Sequence, residues 1–487
     1  MGEELVRSEK LLLLVVAVAV LMDGMDGSIV YVALPSIATG LGTDTASASW
    51  VTVVYFMMLA GLILFFGRIA DRGAIRKVFV SGFAIFTLAS FFCGISGSLG
   101  MLLVSRVVQG IGGAMMAATS PMICVKYVPR SKLGLALSVT TLGSALGYSI
   151  GPAIGGIVTD LLSWHWIFLI NIPVGIAAIA IAMYAMPKDG PTEKRPLDFP
   201  GTALLFGSIA SVIYGLETSA QPGNGWHFAA SMALCLVLLA LFVLRELRFH
   251  LPLIDVRIFR TKAFDLMILA FLLYNLAYMG IFYLLPFYMD ISLGFSPSRT
   301  GLYLLIPSAI TAAVCLPLGR WSDRKGRRWF AVWACLCLLA FNVLLWLMNM
   351  EFGLWMLIPV VLLMGASWGL AGGPMAGRVV EHAPKGNEGM ASSVMSMFLY
   401  LGCGLGTALF AAFFSIASGA PGISFSMLSI PEFTNGYSAA LLLAIILSAV
   451  TVLLSFVVKD SDIRYSDVDR SEVSDEKETD QDPSLLT

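Results

Sequence analysis

The chain has 487 residues, of which 58% are hydrophobic and only 13% charged, and its mean hydropathy is +0.86. Soluble globular proteins carry about 25% charged residues, so a core in water cannot absorb this composition and lipid must be part of the solvent. The net charge of −1 speaks neither for nor against nucleic acid, and none is expected as a partner.

A helix needs about 20 apolar residues to cross the hydrocarbon layer. In chain order, apolar stretches of that kind occupy 11–36, 50–67, 78–98, 101–124, 134–160, 166–186, 199–217, 227–244, 264–289, 299–318, 329–349, 353–376, 389–418 and 437–458. The spacing predicts fourteen transmembrane helices, an all-α membrane protein with no barrel alternation. The first stretch runs too long for a cleaved leader and no small-residue cleavage site ends it, so it reads as a retained helix. Lysine and arginine test the count, because cytoplasmic loops carry them. With the N-terminus inside, all but two of the 30 basic residues fall in inner segments; the exceptions are Arg299 in an outer loop and Arg106 inside a stretch, where it reads as the one base in any span. Both termini are then cytoplasmic, in the cell membrane of a prokaryote.

An internal repeat divides the chain. GRIADRGAIRK (67–77) follows the second stretch and GRWSDRKGRR (319–328) the tenth, both opening G-R-x-x-D-R. The expected units are a six-helix bundle over 1–190, a linker with helices seven and eight over 191–255, a second six-helix bundle over 256–459, and an acidic tail over 460–487 that reads as disordered. The stretch 187–201 reads as an exposed linker, and helices seven and eight as peripheral. Repeats of this sort build many secondary transporters, with the substrate site between the halves.

Asp23 and Asp26 lie mid-helix in LMDGMDGSIVYVALP, three apart and so on one helix face. A charge at the bilayer centre costs roughly 2.5–3.5 kcal/mol or more, so such residues face a cavity and serve function. They are the candidate proton carriers; the alternative is a pair of structural hydrogen-bonding acids. Arg106, in the fourth stretch, demands an acidic partner, and the two aspartates are the obvious ones. Such a pair would couple protonation to conformation, or be a static ion pair. In the fifth stretch Gly143, Gly147, Gly151 and Gly155 recur every four residues and form a smooth ridge, with Pro152 able to kink it. In the repeated loops, Gly67, Asp71, Arg72 and Arg76, and Gly319, Asp323, Arg324, Gly326 and Arg327, read as a conformational latch, the acids capping a helix or pairing with arginines, against a role in topology alone. Trp50, Tyr55, Gln109, Tyr274, Asn275, Tyr278 and Trp368 are candidates to line a substrate cavity. The seven cysteines all lie in apolar segments and the four histidines are scattered, so no metal or disulfide is expected. No nucleophile or cofactor constellation appears, so no enzyme and no cofactor are expected.

Together these motifs resemble the major facilitator superfamily, in its fourteen-helix drug:proton antiporter branch, over essentially the whole chain to residue 459. The second loop matches G-x-x-x-D-R-x-G-R-[KR] fully, at Gly319, Asp323, Arg324, Gly326, Arg327 and Arg328; the first has Ala74 and Ile75 where glycine and a base are usual. RVVQGIGGA resembles the helix 4 motif at Arg106, Gln109, Gly110 and Gly112. GYSIGPAIGG matches the antiporter motif at Gly147, Gly151, Pro152, Gly155 and Gly156. MDGSIVYVALP is similar to the branch's helix 1 motif, with Asp26 on its acid and Ser28 and Tyr31 departing from it. SWHWIFLINIPVG (163–175) and LDFPG (197–201) also look like that branch. The resemblance implies proton-driven efflux of small organic compounds by alternating access, through a monomer, with protons, substrate and lipid as its partners. Further acids in the C-terminal bundle, found in some relatives, are absent from helices 10 and 13. Export of one endogenous metabolite or lipid is the alternative, and a non-transporting sensor the remote one.

Overall fold

The computed structural model describes residues 7–129, 133–191, 196–219, 225–349, 354–384, 386–420 and 425–459. The tail at 460–487 lies outside them. Among the described residues the chain is helical with no strand. In lipid the backbone must satisfy its own hydrogen bonds, and helices do so within one segment.

The long helices are α1 (Arg7–Leu41), α2 (Thr45–Ile69), α3 (Ile75–Gly94), α4 (Leu99–Tyr127), α5 (Leu133–Leu161), α6 (Trp166–Ala185), α7 (Phe199–Ser219), α8 (Gly225–Glu246), α9 (Lys262–Ile291), α10 (Pro297–Lys325), α11 (Arg328–Leu347), α12 (Leu357–Glu381), α13 (Glu388–Ala417) and α14 (Ile430–Val457). Side chains close the ends where the sequence supplies them. Asp44 accepts from Ser47 N at the start of α2, Ser98 from Met101 N at α4, and Ser429 with Glu432 forms a capping box at α14.

The apolar helical stretch Ser47–Gly94 is 48 residues long, and Gly73, at φ 98°, breaks it into α2 and α3. In the second loop Gly326, at φ 93°, ends α10. A left-handed backbone favours glycine at both places. The first loop has Ala74 at the usual glycine position, but a glycine takes a positive φ there one residue earlier, with a different ψ (9° at Gly73 against 142° at Gly326).

Helices α1–α6 pack together, as do α9–α14. The two bundles meet along two seams, α5 against α10 and α2 against α13. Helix α7 packs on both α2 and α13 and so lies across the second seam, while α8 packs on α7. Three expectations change. First, Arg378 does not sit in a loop: α12 continues through a π-turn at Ala371–Met375 to Glu381. The buried guanidinium donates to the carbonyls of Ser455 (3.0 Å) and Val458 (2.6 Å) at the end of α14. Arg106 is therefore not alone among basic residues in the helical stretches. Second, the linker is only partly exposed. Asp198 is buried, caps α7 through Gly201 N (2.8 Å) and pairs with Arg245 at the end of α8 (2.7 Å), closing the base of the α7–α8 hairpin. Third, helix seven is not peripheral: α7 packs on both bundles, and its buried acid Glu217 accepts from Ser49 Oγ of α2 at 3.0 Å.

Candidate functional site

The glycine ridge of α5 fixes where the helix 1 acids sit. A Cβ on Gly151 would strike Ser28 Oγ, and one on Gly155 would lie 2.6 Å from the Ile29 carbonyl oxygen. Gly147 likewise faces the backbone of Leu21 and Met25, and from the other side Gly24 faces Ser144 and Tyr148. The α1 and α5 backbones are thus in direct contact from Leu21 to Ile29, the segment that carries both aspartates. Gly156 points the other way, onto the Pro297 carbonyl and Gly301 of α10. The motif serves two interfaces, one inside the N-terminal bundle and one between bundles. Pro152 lies inside α5, and its carbonyl is also close to Gly301.

Although three residues apart, Asp23 and Asp26 have different surroundings. Asp26 has no exposure and its partners all come from the N-terminal bundle. Arg106 Nη1 of α4 donates to its Oδ2, and Oδ1 accepts from Gln109 Nε2 (2.9 Å) and from Asn171 Nδ2 of α6 (3.1 Å). Arg106 is held by its Nε on the Val51 carbonyl (2.8 Å), by Gln109 Oε1 (2.7 Å), and by the Tyr55 ring, 4.2 Å from its central carbon. Gln109 also donates to Ser90 Oγ (2.9 Å). This buried ion pair has hydrogen bonds on every side but one, since Nη2 of Arg106 has no partner among the described residues. Burial of two charges is offset only by such complete bonding.

Asp23, 3% exposed, faces the bundle interface. Its Oδ1 accepts from Tyr55 OH of α2 at 2.8 Å and its Oδ2 from Tyr400 OH of α13, in the C-terminal bundle, at 2.7 Å. A second cross-bundle bond, Tyr31 OH to Thr407 Oγ1 at 2.9 Å, lies two turns further along α1.

A narrow cleft between the bundles is lined by Tyr148 and Ser149 of α5, Tyr278 and Phe282 of α9, Ser308 of α10 and Trp368 of α12, among others. Its aromatic wall is a ladder: Tyr274, Tyr278 and Phe282 stack at 6.1 Å centroid spacings along α9, and Trp368 lies 4.6 Å from Tyr278. Of the residues expected to line a substrate cavity, Tyr278 and Trp368 border this cleft and Tyr274 lies against Trp368. Tyr55 and Gln109 belong to the charged cluster instead. Asn275 turns to α13, its amide on the Phe271 carbonyl (2.7 Å) and its Cβ against Gly402. Trp50 faces Tyr214 of α7.

In the loops, the acid seen at the N-terminus of α3 is Asp189, which accepts from Arg76 N (2.9 Å) and Lys77 N (2.8 Å). Asp71 is exposed in the turn between α2 and α3, with Arg72 half-buried beside it. The Arg327 guanidinium packs over Gly377 of α12, while Arg324 is exposed. Gly67 meets nothing within 4 Å; Gly319 lies opposite Gly373. The side chain of Asp323 lies outside the described residues. Sequence reasoning missed Asn171, Tyr400 and Glu217. Asn171 stands in the quoted stretch SWHWIFLINIPVG and Glu217 ends the seventh apolar stretch, so polarity within a span was the available signal for both. Tyr400 gives none, because tyrosine is ordinary at helix surfaces.

The comparisons with known proteins agree with this architecture. The chain is similar to the riboflavin transporter RibZ of Clostridioides difficile (strain 630), 28% identical over 410 residues covering 84% of this chain and 89% of that protein. It is 35% identical over 297 residues to the putative multidrug resistance protein MdtD of Salmonella heidelberg (strain SL476), covering 61% of this chain and 63% of that protein. The chain thus spans less than two thirds of MdtD. Among solved structures, it shares its fold with a bacterial homologue of the human lysosomal transporter Spinster, in an inward-facing, unoccupied conformation, at a TM-score of 0.63 and 16% identity over 93% of this chain and 98% of that one. The sequence profile of the Major Facilitator Superfamily matches residues 16–407. With that match spanning most of a chain of two packed helical bundles, the protein belongs to the major facilitator superfamily and is a multi-pass cell-membrane transporter.

Proposed function

We propose that the protein exports small organic compounds, amphipathic or cationic, in exchange for protons, by alternating access between its two bundles. The observation that carries this reading is the buried Asp26–Arg106 pair within the N-terminal bundle, one helical turn from a second carboxylate on the bundle interface. A proton arriving at Asp26 removes the charge that neutralises Arg106, and the guanidinium must then find another acceptor or a rearranged bundle. That ties protonation to conformation. The MdtD similarity supports multidrug export. The RibZ similarity supports a second reading, one dedicated metabolite, and the aromatic wall of Tyr278 and Trp368 suits planar ring systems under either. We also propose fourteen spans, counting Ser47–Gly94 as two at its Gly73 break, with both termini cytoplasmic.

Uptake into proteoliposomes with an imposed pH gradient tests the reading, using cationic, neutral and anionic compounds. Proton-driven exchange is expected in the wild type and lost in Asp26→Asn. Normal transport by both Asp26→Asn and Asp23→Asn would sink it.

A further inference from the structure

We propose that Tyr400 is the group through which the C-terminal bundle reads the charge of Asp23, the Asp23–Tyr400 hydrogen bond being a clasp that holds the bundles in the arrangement seen here. This rests on the reading that the helix 1 carboxylates carry protons, and it divides labour between them.

Every donor to Asp26 comes from α4 or α6, so its titration acts first inside one bundle. Asp23 has one phenol from each bundle. The titratable groups that face Asp23 are Asp26 on its own helix, Tyr55 from α2, Tyr148 from α5, and Tyr400 and Cys403 from α13, with Arg106 of α4 lying over the Tyr55 ring. Arg106, the one base of this cluster, is committed to Asp26, so the charge on Asp23 is met by the two hydroxyl groups. An ionised carboxylate accepts two such bonds readily. A protonated one carries its own O–H, which needs an acceptor, and its hydroxyl oxygen is a poor acceptor in turn. One phenol must then turn from donor to acceptor and take the carboxyl proton on its oxygen, and both contacts lose the charge that strengthened them. Tyr55 is fully buried and held under the Arg106 guanidinium at 4.2 Å. Tyr400 is the donor on the other bundle. Protonation of Asp23 therefore weakens the contact between bundles while leaving the N-terminal bundle intact. The sign is fixed: acid opens the clasp and base closes it. Gly404, one turn beyond Tyr400, faces the Cβ of Phe56 on α2 at 3.4 Å from where its own Cβ would stand, so the seam is close enough to feel the change.

The test uses full-length protein in liposomes, with native cysteines replaced and spin-label pairs reporting both ends of the bundle interface. Lys77 with Lys325 reports the face of the arginine-rich loops, and Ile95 with Arg299 the opposite face. In the parent, both distance distributions are expected to change between acid and alkaline pH. Tyr400→Phe keeps the ring and removes the donor; it is expected to populate the acid-like distribution at alkaline pH and to shift the pH profile of exchange. Asp23→Asn, which cannot ionise, is expected to hold the acid-like distribution at every pH. Parent-like pH responses in Tyr400→Phe, or a parent-like alkaline state in Asp23→Asn, overturn the clasp. Because distances are read without transport, such a result stands apart from Asp26→Asn exchange, which tests the functional reading by itself.

Discussion

At the scale of single residues, the site is organised by hydrogen-bond supply rather than by charge alone. Two carboxylates three apart share one face of α1, but their donors separate them: three for Asp26 from within its bundle, one from each bundle for Asp23. The Asp26–Arg106 pair therefore has a measurable energetic consequence. Arg106→Ala leaves a buried carboxylate uncompensated and is expected to cost about 3–5 kcal/mol, read as a lower unfolding temperature in detergent micelles. Asp26→Asn combined with Arg106→Ala should cost less than the two single effects together, because neither charge is then stranded. Strict additivity in that cycle would mean the pair is not the interaction the geometry shows. Arg106→Lys cannot replace the wild type, since one ammonium cannot span Asp26, Gln109 and the Val51 carbonyl in the same geometry. The identity of Asp26 and Arg106 as a charged centre was legible in the sequence, since a charge in a long apolar run stands out against its neighbours. Tyr400 was not, because its importance comes from a contact 377 positions away in sequence.

At the scale of helices, glycine spacing did more than mark a smooth surface. The four-residue repeat on α5 gave the existence of a close helix contact but not its partner, which is α1 at the level of the aspartates. Gly151→Val is expected to push α1 away by overpacking, costing about 1–3 kcal/mol and most of the transport activity. The same protein preparations, compared by melting and by exchange in liposomes, check both parts. A fully active, fully stable Gly151→Val protein would mean that α1 and α5 are not packed this closely in the membrane. The loops make a parallel case. The first repeat departs from the motif at Ala74, and Gly73 adopts φ 98° one position earlier. Gly73→Ala is accordingly expected to destabilise by about 1 kcal/mol or more, whereas Ala74→Gly, which restores the usual spacing, gains nothing. The branch-like stretch LDFPG has a similarly local explanation: Asp198 caps α7 and Gly201 leaves room beside it, where a Cβ would stand 2.8 Å from Glu246 Oε1. Patterning carried the order and type of helices because lipid imposes one length and one hydrogen-bonding solution. It could not carry the depth of burial of Arg378 or Glu217, which depends on where neighbouring helices end.

At the scale of the molecule, the two seams between bundles differ. Beside the α2–α13 contact lies a polar group, Asp23 of α1 accepting from Tyr55 of α2 and Tyr400 of α13, and α7 lies across this seam, with Glu217 tied to Ser49 of α2 and Ile213 beside Gly404 of α13. Along α5 and α10 the contact is backbone to backbone, Gly156 against Pro297 and Gly301, with Ser308 Oγ donating to the Ser149 carbonyl. A rocking movement of one bundle on the other must break or slide one of these seams. The second offers a direct test, because Ser149 and Ser308 approach within hydrogen-bonding distance and each is small. In a protein with its native cysteines replaced, Ser149→Cys with Ser308→Cys is expected to form a disulfide on mild oxidation, since the Ser308 side chain already reaches the Ser149 backbone. The cross-linked protein should bind but not exchange substrate, and reduction with dithiothreitol should restore exchange to the level of the uncrosslinked double variant. Full exchange with the disulfide intact would show that α5 and α10 keep their contact through the whole cycle, and the movement would then have to be located on the side of α2 and α13, where the α7 strap lies and Tyr400 of α13 reaches Asp23 of α1.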